Sequence, residues 1–492
     1  MSNLRQSGIL MHPTSLAGPE GIGTLGREAH GFADFLAAGG QKLWQMLPLG
    51  PAGYGDSPYA CFSAFAGNPL LISLETLVRD RLLTRAEVGA PAAPAALVDF
   101  RGVEARKPDL LDVAFTRFLI RGVSAAFTRF CAMEAGWLDD YALFMAIKES
   151  RNGQPWWQWP ETLRLRQPEA LEAARRRLEP RVAAHQFRQF LFFEQWRALR
   201  AHANAAGVRL VGDVPIYVAH DSADVWAYPE WFMLDARRRP VRVSGVPPDF
   251  FSRDGQLWGN PVYDWGRMKR DGFTWWRRRW RASLELFDVA RFDHFRALAG
   301  YWGVPYGKRT ARDGAWYRAP GGELLASLKR DVGDLRMIVE DLGMITPDVL
   351  ALRDRYGLPG MKILHYAFGE NGDSGYIPHN FPENCVVYTG THDNETTTGW
   401  WRQQPAHVKR HARLCVGPDV DQSVWSFIRY AWASVARTAI VPMQDVLELG
   451  PETRMNVPGT VGGRNWQWRM RPRAASPRLA ARLAALTHAC WR

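Results

Sequence analysis

The sequence predicts an α/β protein folded as a (β/α)8 TIM barrel with helical and loop-rich insertions and no C-terminal β-sandwich. Three observations lead there. Short apolar or β-branched runs ending in polar residues recur along the 492 residues. Stretches of helical periodicity separate them, which is the βαβ signature of a parallel sheet. The runs number about eight, the count that closes such a sheet into a barrel. At ~150 residues per domain the chain would make about three domains, but α/β barrels commonly pass 250 residues as one unit. The expectation is a single barrel unit over residues 1–492.

The expected strands are Gly8 to Met11, Lys42 to Leu47, Arg209 to Gly212 and Val289 to Phe292 in the first half. Met337 to Val339, Met361 to Leu364, Cys385 to Thr389 and Ala439 to Met443 follow. After the first strand, Phe32, Phe35 and Leu36 share one helical face and Gly39-Gly40 closes the segment. After the fifth, Thr346-Pro347-Asp348 reads as N-cap, proline at the first helical position and an acid in the first turn, with Gly357 as the stop. Before the third, Phe187, Phe190, Leu191 and the run Gln195 to Leu199 keep helical spacing up to Gly207. Two stretches break the alternation. Residues 76–181 are rich in Ala, Arg and Leu with Pro91, Pro94, Pro108 and Pro160 interrupting, which predicts a helical insertion after strand two. Residues 219–280 look loop-like, with five prolines among aromatics, and predict a lid-like insertion after strand three.

Composition narrows the function. With 47% hydrophobic residues the chain is not disordered, and 62 Lys+Arg against 50 Asp+Glu leave it at +12. The 22 tryptophans are an excess for a residue that is normally scarce. Basic and aromatic together suit either a nucleic-acid surface or a sugar site, where indole planes meet the apolar faces of pyranose rings. Arg175-Arg176-Arg177, Arg237-Arg238-Arg239 and Arg277-Arg278-Arg279 read as solvated faces in an Arg-rich background, so no nucleic-acid partner is expected. Cys61, Cys131, Cys385, Cys415 and Cys490 are widely spaced and odd in number, which fits neither a disulfide framework nor a zinc ribbon. No run approaches the ~20 apolar residues of a membrane span. A cytoplasmic protein without membrane contact, metal or cofactor is expected.

In a parallel barrel the reactive groups gather at the carboxyl ends of the strands. Strand four ends Arg291-Phe292-Asp293-His294, strand five ends Val339-Glu340-Asp341, and strand seven runs into Thr391-His392-Asp393-Asn394. Asp293, Glu340 and Asp393 would share one mouth. Convergent carboxylates without a Cys/His cluster suggest chemistry on a glycosidic acetal. One acid protonates the leaving oxygen and a second carboxylate meets the developing positive charge, ~5–5.5 Å away if configuration is retained. Strand alternation puts Arg291 on the face of Asp293, where its guanidinium holds that carboxylate ionised. Glu340 can be kept protonated by a neighbouring charge and burial.

At these residues the sequence resembles amylomaltase, the bacterial 4-alpha-glucanotransferase family that includes the plant disproportionating enzyme. The resemblance runs essentially full length. It passes through Gly8-Ile-Leu-Met-His-Pro-Thr-Ser-Leu, Gly21-Ile-Gly-Thr-Leu-Gly, Gln45-Met-Leu-Pro-Leu-Gly-Pro and Tyr54-Gly-Asp-Ser-Pro-Tyr59. It continues in Gly212-Asp-Val-Pro-Ile-Tyr217, Gly245-Val-Pro-Pro-Asp-Phe-Phe-Ser252, Gly255-Gln-Leu-Trp-Gly-Asn-Pro261, the three acid motifs, and Arg454-Met-Asn-Val-Pro-Gly-Thr460. Asn465-Trp466 supplies the family's Asn-Trp element.

The resemblance implies transfer of alpha-1,4-glucan segments between maltooligosaccharides by a retaining double displacement. In that scheme Asp293 is the nucleophile of a covalent glucosyl-enzyme, Glu340 the acid then base, and Asp393 a transition-state stabiliser. Arg291, Asp213, His294 and His392 would line the donor subsite. Asp249, Gln256 and Trp258 would cover the acceptor side, Tyr59 and Ser57 would belong to the sugar cradle, and Tyr54 to a second glucan-binding surface. Unlike ordinary α-amylases, Asp213 is followed by Val-Pro-Ile-Tyr-Val rather than an Asn-His pair, and about fifty residues follow the last strand. The competing readings are an amylase-type α-glucan hydrolase, a non-catalytic glucan-binding protein and a nucleic-acid binder.

Overall fold

The computed structural model describes residues 5–93, 95–248, 252–368 and 374–492. Its strands, in chain order, are β1 (Gln6–Leu10), β2 (Leu43–Gln45), β3 (Arg209–Val214), β4 (Arg242–Val246), β5 (Gln256–Pro261) and β6 (Val289–Phe292). Then come β7 (Gly300–Pro305), β8 (Ala315–Arg318), β9 (Met337–Val339), β10 (Gly360–Ile363), β11 (Cys385–Tyr388) and β12 (Thr438–Pro442). Eight of them close a barrel in the order β1-β12-β11-β10-β9-β6-β3-β2, every pair parallel. These are the eight apolar runs expected from sequence, each within two residues of its expected start. Being buried on both faces, parallel barrel strands are continuous apolar runs, which is why they can be read.

Helices cover the barrel as their patterns require. Arg27–Ala38 buries Phe32, Phe35 and Leu36 and ends at Gly39. Pro347–Arg355 begins after Thr346, whose hydroxyl bonds to Asp348 instead of a backbone amide. Glu179–Ala205 carries Phe187, Leu191, Trp196 and Leu199 into the core ahead of β3. Between β2 and this helix lie Leu74–Arg79, Phe100–Ile120, Ala125–Ser150 and Pro168–Arg177. Pro108 does not interrupt the chain as expected but lies inside Phe100–Ile120. Ties on either side offset its missing N–H, with Lys107 Nζ 2.8 Å from Glu20 and Arg188 2.6 Å from Asp112.

The stretch 219–280 is a correction: it is not simply loop. It holds β4, β5, a short helix Ala223–Ala227 and the helices Trp265–Arg270 and Thr274–Leu286. β4 and β5 join β7 and β8 in an antiparallel sheet ordered β5-β4-β7-β8. Glycine and proline hide these strands, since Gly245, Gly259 and Pro261 depress strand propensity while β7, the second partner of β4, lies beyond β6. After β12 the described residues contain one long helix, Pro477–Ala489, and no sandwich. Among the described residues no helix is long and apolar enough to cross a membrane.

Most of the large indoles are structural. Trp44, Trp156, Trp196, Trp226, Trp276, Trp280 and Trp432 are fully buried. Several satisfy their N–H on a distant carbonyl: Trp196 on Leu286, Trp226 on Leu163, Trp280 on Leu335. A close approach between barrel strands is made at Gly8, which pairs with Leu43. A β-carbon there would lie 2.5 Å from Leu43 Cβ and 2.6 Å from Leu43 O. Gly8→Ala is expected to destabilise the fold by about 3 kcal/mol, the upper end of overpacking costs. Chemical denaturation measures this, and an unchanged midpoint would contradict it.

Candidate active site

The carboxyl ends of β3, β6, β9 and β11 bring the sequence-selected side chains together. Asp213 and Arg291 are register partners on β3 and β6. Arg291 donates through Nη1 to Asp213 Oδ1 and Oδ2 at 2.8 and 2.7 Å. The same nitrogen lies 2.8 Å from Asp293 Oδ1. Arg291 and Asp213 are buried, whereas the Asp293 side chain is 25% exposed and so open to the mouth. A buried guanidinium bonded to two carboxylates fixes the direction in which Asp293 points.

His294 has φ +49°, in the left-handed region, where the chain leaves β6 for a short 3-10 turn. That conformation is uncommon outside glycine and marks a held backbone. It aims the His294 N–H at Glu340 Oε2 (2.8 Å), while Leu342 N–H donates to Glu340 Oε1 (2.8 Å). Burial pushes the Glu340 carboxyl up to about 7, against the nearby Arg291 charge and with a further rise from Asp293. Its neighbour Asp341 turns the other way, to Arg353 at 2.6 Å and Met361 N–H at 2.7 Å, as strand alternation requires. Asp293 is thus paired with a cation, whereas Glu340 is held by two backbone N–H groups and raised by its burial.

The other wall comes from the segment after β11 and the loop after β2. Tyr59 Oη donates to Asp213 Oδ2 at 2.8 Å and lies 3.0 Å from His392 Nε2. His392 Nε2 is 3.4 Å from Asp393 Oδ1. Asp393 is 44% exposed, the most open of the three acids. Ser57 accepts the Tyr59 N–H at 3.3 Å and so shapes the turn under Tyr59. Trp258 on β5 stands edge-on to His294 with ring centroids 4.8 Å apart, and its N–H donates to Gln256 at 3.2 Å. It is 38% exposed, a half-open indole beside the acids. Burial drives the His294 imidazole down to about 4, so it is neutral at physiological pH. Tyr54 is 78% exposed on the loop after β2, and Asp249 lies outside the described residues. Among the described residues no group of three His, Cys, Asp or Glu is placed to hold a metal.

Comparison with known proteins places this geometry. The family model described as 4-alpha-glucanotransferase matches residues 11–475. The chain belongs to the 4-alpha-glucanotransferase family. Relatives of that name include one from Thermus thermophilus, 48% identical over 99% of both chains. Another is the chloroplastic/amyloplastic protein of Arabidopsis thaliana, 44% identical over 95% of this chain and 81% of that one. Among solved structures, an amylomaltase from Streptococcus agalactiae in complex with acarbose superposes with a TM-score of 0.96, at 39% identity and 99% coverage of each chain.

In this 4-alpha-glucanotransferase family member three contributors to the site carried no assigned role in the sequence reading. Asn456 donates to Asp393 Oδ1 at 2.6 Å, and Arg454 to the Asp393 carbonyl at 2.6 Å. Trp466 packs against Tyr59 and His392, with centroids 5.8 and 6.1 Å away. Arg454, Asn456 and Trp466 all sit in motifs already visible after β12. What the motifs could not disclose is that this C-terminal stretch folds back over the mouth to clamp Asp393.

Proposed function

We propose that the enzyme moves alpha-1,4-glucan segments between maltooligosaccharides by double displacement with retention, as an amylomaltase. The observation that carries this is the contrast between Asp293, ion-paired at 2.8 Å with buried Arg291, and Glu340, held by two backbone N–H groups and raised to about 7 by burial. Asp293 attacks the anomeric carbon and the glycosidic C–O bond breaks. Glu340 gives its proton to the departing oxygen, leaving a β-glucosyl ester on Asp293. That ester is neutral, so the charge that helped raise Glu340 disappears, its carboxyl falls toward the ordinary range, and Glu340 stays ionised and free to accept a proton. It then takes the proton of an acceptor 4-OH, which displaces Asp293 and restores the α-linkage.

Asp393, clamped by Asn456 and open to the mouth, binds sugar hydroxyls in the transition state, with His392 and Tyr59 beside it. Gln256 and Trp258 cover the acceptor side and favour a sugar hydroxyl over water. In this reading β4 and β5 supply the lid within residues 219–280. The five unpaired cysteines fit a cytoplasmic setting.

Incubation with maltotriose tests the reading. The expected result is glucose plus a ladder of longer maltodextrins at constant total reducing ends. Rising reducing ends without longer products would instead establish a hydrolase.

A further inference from the structure

A carboxylate at the end of the last barrel strand has no part in the chemistry above. Asp445, just after β12, is buried. Its Oδ2 accepts from the hydroxyls of both Thr389 and Thr397 at 2.6 Å, and its Oδ1 accepts the Thr397 N–H at 2.8 Å. Thr389 immediately follows β11, and Thr397 opens the helix Thr397–Gln403. These threonines are the two ends of the segment that carries His392 and Asp393, so one side chain ties that segment shut at its base.

Chemistry makes the tie directional. An ionised carboxylate only accepts, so both threonine hydroxyls must donate to it. Thr397 Oγ1 is then left to accept from His365 Nε2, 3.0 Å away, which places the proton of that imidazole on Nε2. The His365 ring is held flat against Trp400, with centroids 4.6 Å apart and 2° between planes. Within the segment, Thr391 donates through N–H and hydroxyl to Asn394 Oδ1, both at 2.9 Å. A carboxylate buried among neutral donors is costly to desolvate, and its three hydrogen bonds offset that cost. What the acid supplies is a single arrangement of donors.

We propose that Asp445 is a positioning residue for glucan transfer: by tying Thr389 to Thr397 it fixes where the intervening segment presents Asp393 and His392. This rests on the reading of Asp393 as part of the transfer machinery. The test compares Thr389→Val/Thr397→Val, which keeps side-chain shape and removes both hydroxyls, with Thr389→Ser/Thr397→Ser, which keeps them. Rates are taken per active site, titrated by covalent trapping with a fluorinated glucosyl fluoride, with the melting temperature recorded for each protein. The valine pair is expected to lose about 10²-fold in kcat, the cost of a roughly 1 Å misplacement, with KM little changed and the serine pair near wild type. A purely structural tie lowers the melting temperature and the titre but leaves kcat per titrated site intact, and that result overturns the proposal. If the valine pair fails to fold, Asp445→Asn, which keeps the volume, is judged by the same two numbers. Asp393→Asn is run alongside. If it is fully active, the reading of Asp393 falls and this proposal with it. If it is impaired while the valine pair is not, only the role of Asp445 falls.

Discussion

Asp293→Asn is expected to abolish transfer, with kcat on maltotriose falling by about 10⁴- to 10⁶-fold, the range seen when a covalent nucleophile or its activating partners are removed. The substitution keeps size and leaves Arg291 bonded to Asp213, so the loss arises from chemistry and not from collapse of the site. Without a carboxylate there is no ester to form, and a slow fluorinated donor should leave no added mass on the protein. Oligosaccharide binding should survive, because Tyr59, His392 and Trp258 are untouched. Intact-mass spectrometry and product chromatography check both halves. A variant within tenfold of wild type, or one that still traps a glucosyl adduct on another residue, would assign the nucleophile elsewhere.

Glu340→Gln should cost about 10²- to 10⁴-fold with natural donors, the usual worth of a positioned general acid. The loss should nearly vanish in the first half-reaction with a glucosyl fluoride, whose leaving group needs no proton. The pH profile follows from the same residue. Burial raises Glu340 to about 7, so the protonated acid predominates below that pH and is lost above it. Wild-type glycosylation should therefore decline as pH rises through about 7, and the glutamine variant should lack that descending limb on the fluoride. If the variant kept the limb, another group would be the acid.

How much of this was legible follows from which interactions are local. The barrel strands are continuous apolar runs whose burial depends little on their partners, so sequence located all eight. The three acids, Arg291 and His294 were legible because strand ends and alternation dictate where they point. The antiparallel sheet was not. β4 pairs with β7, which lies beyond β6, and Gly245, opposite both Leu257 and Trp302, reads as a loop residue until its neighbours are known. Asn456 and Trp466 were hidden in the same way, since their partners Asp393 and Tyr59 are remote in sequence. Pro108 misled because its cost inside a helix is met by the Lys107–Glu20 and Arg188–Asp112 pairs.

The sheet β5-β4-β7-β8 draws its strands from two separate departures from the barrel, one after β3 and one after β6. β7 begins at Gly300, on the chain leaving Asp293, while Trp258 stands on β5 at the sheet's opposite side from β8. One hydrogen-bonded sheet therefore joins the segment that leaves Asp293 to the strand that bears Trp258, so two walls of the mouth that depart from different barrel strands share a single support.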